Sequence, residues 1–150
     1  MDVHQTFCST SSPKNGIPRP LRTLLVDDSA LLLTCLRRVL DTHALFQVVG
    51  TAANGSEALH KANSLAPDLV LMDLHMPGMD GLQATALLRR RLPDARIIIM
   101  TLDETAKNKT AARAHGAHGF VGKTQIAKTL MAEIHRVFPL NDTAEERGTA

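Results

Sequence analysis

Residues 69–101 read LVLMDLHMPGMDGLQATALLRRRLPDARIIIMT. Leu69–Met72 is a short, wholly apolar run that stops at Asp73, which predicts a buried strand with a carboxylate at its carboxyl end. Asp80 is placed to cap a helix whose Ala84, Leu88 and Leu92 recur at helical spacing. Arg89, Arg90 and Arg91 close that helix, as cations suit a helix C-terminus and a solvated end. Ala95–Met100 is the most apolar stretch of the chain and predicts a second strand, ending at Thr101. Strands bare of polar residues and joined through a helix belong in a parallel sheet covered on both faces.

The same alternation extends both ways. Upstream, Leu21–Val26 (LRTLLV) is a strand that stops at Asp27-Asp28. From Ser29, Leu32, Leu33, Leu36, Val39 and Leu40 fall on one helix face, and Leu45–Thr51 follows as a strand. Asn54 with Glu57 resembles a capping box ahead of a helix carrying Ala58, Leu59, Ala62, Leu65 and Ala66. Downstream come a helix over residues 104–115, a short strand Gly119–Val121 ending near Lys123, and a last amphipathic helix. Its apolar side is Ile126, Ala127, Leu130, Met131, Ile134, Val137 and Phe138. Five βα units predict an α/β protein: a five-stranded parallel sheet, doubly wound (βα)5, flavodoxin-like. The expected folded unit is 21–138, between a polar, breaker-rich tail at 1–20, read as disordered, and a polar tail at 139–150.

Composition narrows the function. A chain of 150 residues is long enough for a proper core, and 44% hydrophobic with 21% charged residues is a globular composition. A formal charge of +2 and four Phe with no Trp or Tyr argue against nucleic acid as a direct partner. No apolar run reaches membrane-span length and no signal-peptide core opens the chain, so a cytoplasmic protein without a membrane partner is expected. Cys8 and Cys35 form neither a metal spacing nor a disulfide framework.

Four strands end in reactive side chains: Asp27-Asp28, Asp73, Thr101 and Lys123. Ligands in open α/β sheets bind outside the carboxyl ends of the strands, so these groups should converge. Two unit charges about 4 Å apart repel by ~4 kcal/mol at an effective dielectric near 20. Three clustered carboxylates therefore call for a cation, and an all-oxygen donor set points to Mg²⁺ rather than zinc. Asp73 beside that charge, a Lys and a Thr hydroxyl is equipped to receive a phosphoryl group as an acyl phosphate.

The segments VDDS, LVLMDLHMPGMDG, IIIMT and GFVGKT resemble the signature of the receiver domain of bacterial two-component response regulators. The detailed sequence is most similar to the group whose receiver precedes a helix-turn-helix DNA-binding domain. Only a dozen residues follow Phe138, so a stand-alone receiver is expected. The resemblance implies Asp73 as phosphoacceptor, with Asp27, Asp28, Asp73 and the backbone carbonyl of His75 holding Mg²⁺. It implies that Lys123 contacts the phosphoryl group, that Thr101 follows it by a hydroxyl hydrogen bond, and that Phe120 occupies an aromatic switch position. The implied donor is a histidine kinase or histidine phosphotransfer protein. The implied output is a downstream protein, or a homodimer, through the face around residues 104–138. The domain is then a signalling phosphoacceptor that assists its own phosphotransfer and dephosphorylation rather than an enzyme.

Two residues depart from the family pattern: Leu102 stands where a small residue is usual, and Thr124 where Pro is frequent. Leu102 keeps a second reading in view, a receiver-like interaction module acting without phosphorylation. Ala117–Thr124 mimics a relaxed phosphate-binding loop, but its place near the chain's end makes a nucleotide hydrolase the weakest reading. His115 and His118 lack a third metal ligand and read as exposed surface residues.

Overall fold

The structure, a computed structural model, describes residues 19–139. Cys8 and nearly all of the two predicted tails lie outside the described residues. Five strands run β1 Leu21–Val26, β2 Phe46–Ala52, β3 Leu69–Asp73, β4 Arg96–Thr101 and β5 Gly119–Gly122. The helices among the described residues are α1 Ala30–Asp41, α2 Gly55–Leu65, α3 Gly81–Arg91, α4 Ala106–Ala114 and α5 Ile126–Val137. All strand pairs are parallel, in the order β2-β1-β3-β4-β5.

Alternation along each strand divides the core between the two faces. Leu24, Val70, Met72, Ile97 and Ile99 point to the side covered by α2, α3 and α4, meeting Leu59, Ala62, Leu88 and Ala112. Leu25, Leu71, Ile98 and Met100 point to the other side, where Leu36, Leu40, Leu130 and Ile134 come from α1 and α5. Ile97, Ile98 and Ile99 are fully buried in succession, which a strand covered on both faces permits. Each such side chain contributes about 1.5–3 kcal/mol by leaving water.

Caps place the helix starts. Ser29, Asn54 and Asp80 accept the main-chain N–H of Leu32, Glu57 and Gln83. Glu57 returns the bond to Ala53 N–H, completing the predicted capping arrangement one residue upstream of the cap. The fourth helix is shorter than 104–115, because Thr105 is the cap, accepting from Asn108 N–H at 3.2 Å. Ala66 does not continue α2: it ends it in the left-handed conformation (φ 46°). Ala127, expected on the apolar side of α5, is exposed, since α5 buries Leu130, Ile134 and Val137 instead.

The chain leaves β1 for one edge of the sheet and β3 for the other. Between them lies the crevice that open parallel sheets use for ligands. Asp27-Asp28 follow β1 and Asp73 closes β3, so the acidic residues stand at this switch point.

Candidate functional site

Asp27 is fixed by the start of α1. Its Oδ1 accepts Ser29 N–H at 2.8 Å, its own N–H bonds Ala52 O at 3.0 Å, and its side chain is fully buried. Asp28, the next residue, is exposed. Asp73 is 4% exposed, held at the end of β3 by the loop that follows. Leu74 N–H donates to Met100 O and Gly81 N–H donates to Leu74 O, both at 3.0 Å, which folds 74–80 back over the strand end. A Cβ at Gly81 would stand 2.1 Å from the Asp73 carbonyl oxygen, so α3 starts directly on the main chain of Asp73. Only glycine permits that approach.

Lys123, in the 3₁₀ turn after β5, brings the fifth strand into the cluster. Its Nζ lies 2.7 Å from Asp27 Oδ2 and 2.9 Å from Asp73 Oδ1. The cation that the sequence calls for is thus supplied in part by the chain itself. Burial opposes the charged form of Lys123, but the hydrogen bonds to Asp27 and Asp73 outweigh it and raise its pKa. Burial raises the Asp73 carboxyl above the ordinary carboxylate range, and the Asp27 charge adds to this against the pull of Lys123 and of His75 N–H. One oxygen each from Asp27, Asp28 and Asp73 lie within 4.8 Å of one another. Three hard carboxylate donors on that scale suit a small divalent cation such as Mg²⁺.

Thr101 closes β4 and is 1% exposed. Its Oγ1 accepts Asp103 N–H at 3.0 Å. Leu102, beside it, projects into solvent at 72% exposure. Phe120 is half-buried on β5, with Lys109 Nζ 5.9 Å from its ring centroid. Asp27, Asp28, Asp73 and Lys123 thus form one cluster; Thr101 and Phe120 lie on the neighbouring strands β4 and β5.

Some expectations change. His118 is half-buried rather than exposed: its Nδ1 accepts Ile97 N–H at 3.1 Å, and Arg89 Nη1 lies 2.9 Å from its Nε2. Arg89 therefore packs under the sheet edge instead of ending α3 wholly in water. Lys123 belongs to the acidic cluster and follows strand β5, which removes the phosphate-loop reading of 117–124. Glu133, which belongs to no motif in the sequence, holds the edge strand: its Oε2 accepts Phe120 N–H at 2.8 Å and pairs with Arg136. Burial works against that carboxylate, yet Arg136 and the Phe120 N–H keep its pKa below the ordinary range. A contact between residues 13 apart on different elements leaves no spacing signal, although Glu133-x-x-Arg136 on one helix does mark a local ion pair.

Residues 23–135 match the family described as the response regulator receiver domain. The response regulator GacA of Pseudomonas viridiflava is 40% identical over 118 residues, covering 79% of this chain and 55% of GacA. The chain spans about half the length of the curated relatives it matches. The response regulator domain of Thermotoga maritima CheB superposes with a TM-score of 0.72 at 32% identity, over 79% of this chain and 96% of that one. A CheX–CheY complex of Borrelia burgdorferi with BeF₃ and Mg²⁺ gives 0.76 at 25% identity, over 83% of this chain and 94% of that one.

Proposed function

The chain belongs to the receiver domain family of response regulators, a phosphorylation-activated signalling domain, and on that premise we propose that Asp73 is its phosphoacceptor. The observation that carries this reading is Lys123 Nζ joining Asp27 and Asp73, with Asp28 completing an all-oxygen set beside them. Asp27, Asp28 and Asp73, with the His75 carbonyl as a further donor, would hold Mg²⁺. When bound, that ion supplies positive charge against the phosphoryl oxygens.

The chain's own residues do the rest. A carboxylate oxygen of Asp73 attacks phosphorus in line; the new O–P bond forms as the N–P bond to the donor's imidazole breaks, and the imidazole leaves with the electron pair. Lys123 turns from the carboxylates toward the phosphoryl oxygens, its charge matched to a group that arrives negative. Thr101 swings its hydroxyl toward the same group, and Phe120 follows as the switch residue. The donor is a histidine kinase or a histidine phosphotransfer protein. The output is a downstream protein or a second copy of the chain, engaged through the face around residues 104–138, in the cytoplasm. α4 suits a movable part of that face, since Ala112 is its one buried residue and little apolar area docks it.

Transfer of label from acetyl phosphate tests the reading. Wild-type protein takes up acid-stable, hydroxylamine-labile label in the presence of Mg²⁺. Chelation or Asp73→Asn abolishes it, and label persisting in Asp73→Asn moves the site elsewhere.

A further inference from the structure

Asn108 and Lys109 are neighbours in the first turns of α4, and each grips a different part of the molecule. The side-chain amide of Asn108 donates to Asp103 O at 2.9 Å. Asp103 is the residue whose N–H, at 3.0 Å, is bonded to Thr101 Oγ1; the hydroxyl has only a long contact, 3.4 Å, back to Asp103 O. The Asp103 carbonyl is thus already satisfied by Asn108, and the Thr101 proton is weakly committed. Asn108 N–H meanwhile closes the Thr105 cap, so the residue ties the helix start to the Thr101 turn by both its main chain and its side chain. One residue on, Lys109 Nζ lies over the Phe120 ring. Apart from Ala112, nothing on α4 is buried, so these polar ties carry much of its attachment.

We infer that Asn108 and Lys109 are positioning residues that couple Thr101 to Phe120 through the first turns of α4. The inference rests on the reading of Asp73 as phosphoacceptor. When the Thr101 hydroxyl turns toward a phosphoryl group, Asp103 moves with it and draws on Asn108. The rigid helical turn carries Lys109 along, and its ammonium leaves the ring face, freeing Phe120. The cation–ring contact at this exposed position weighs about two- to fivefold in the equilibrium between the two arrangements.

Fluorine NMR on the whole chain, with fluorophenylalanine incorporated, reads both ends in one spectrum. The Phe120 line is assigned by its loss in Phe120→Leu, and the fluorines of bound beryllofluoride report occupancy of the acidic site. Asn108→Asp keeps a residue favourable to the helix start but has no N–H to give Asp103 O. Lys109→Met keeps the chain length without the charge. In wild type, Mg²⁺ and beryllofluoride displace the Phe120 line. Each variant binds beryllofluoride. Asn108→Asp leaves Lys109 on the ring and shows a smaller displacement when occupied. Lys109→Met moves the Phe120 line part of the way toward the displaced position before any beryllofluoride is added, and adding Asn108→Asp to it costs no further displacement, as members of one path should. Asn108→Gln and Lys109→Arg behave as wild type. Full wild-type displacement in occupied Asn108→Asp, or an unoccupied Lys109→Met line at the wild-type position, overturns the coupling. Beryllofluoride failing to bind wild type overturns the Asp73 reading itself, and the coupling with it.

Discussion

Gly81 rests on the main chain of Asp73, close enough that a β-carbon there would stand 2.1 Å from the Asp73 carbonyl oxygen. Helix α3 and the proposed phosphoacceptor therefore share one backbone contact, and whatever moves the helix start moves the strand end. Glycine inside a helix is ordinarily a loss of about 0.5–1 kcal/mol relative to alanine. Here the sign reverses. Gly81→Ala should destabilise the fold by about 2 kcal/mol or more, since main chain rather than a flexible side chain must yield. Urea unfolding measures it, and a stabilised Gly81→Ala protein would show that α3 can retreat without cost.

His118 gives a pH dependence whose sign is fixed. Burial first, then the charges of Arg89 and Arg96, lower its pKa from 6.5 to about 4. Protonation would also set a second N–H against the Ile97 N–H that Nδ1 now accepts. Between those two values the unfolded chain binds a proton that the folded chain refuses. Stability is therefore lost as pH falls from about 6.5 toward about 4, and the loss levels off below. Allowing for solvent screening at a partly exposed ring, the effect is about 1–2 kcal/mol. His118→Asn keeps an acceptor for Ile97 without the titration, so its denaturation midpoint should fall less over that interval. Parallel curves for the two proteins would count against a neutral His118.

Much of this was legible in the chain. The run 69–101 reads as strand, helix and strand because strands covered on both faces carry no polar residues, while α3 between them declares its cap and its cationic end. Asp27, Asp28, Asp73, Thr101 and Lys123 are each at a strand end, and parallel topology alone brings those ends to one edge of the sheet. His118 was not legible, because its burial depends on Arg89, 29 residues earlier and on another element. Ala66 reads as helix because alanine is a strong helix former; only its neighbour Pro67 hints at the end of α2. The link from Asn108 to Asp103 was hidden by the start of α4, which the Thr105 hydroxyl sets and an acidic residue at 104 obscures.

Asp28 separates metal binding from the ion pair. Lys123 already answers Asp27 and Asp73, leaving the exposed Asp28 without a share in that bridge. Asp28→Asn should leave the metal-free melting temperature unchanged or slightly raised. At about a hundredfold excess over its dissociation constant, a ligand of the folded state stabilises by about 2.7 kcal/mol. Mg²⁺ should therefore raise the wild-type melting temperature by several degrees and that of Asp28→Asn far less. Equal rises in both proteins would remove Asp28 from the ligand set.

The phosphoryl group is expected on Asp73. Borohydride reduces an acyl phosphate on aspartate to homoserine, which peptide mass spectrometry locates to a single residue. Wild-type protein treated with acetyl phosphate and Mg²⁺, then reduced, should carry homoserine at position 73 and at no other aspartate. Homoserine at Asp27 or Asp28, or none at position 73 in protein that has taken up phosphate, would mean that Asp73 is not the phosphoacceptor.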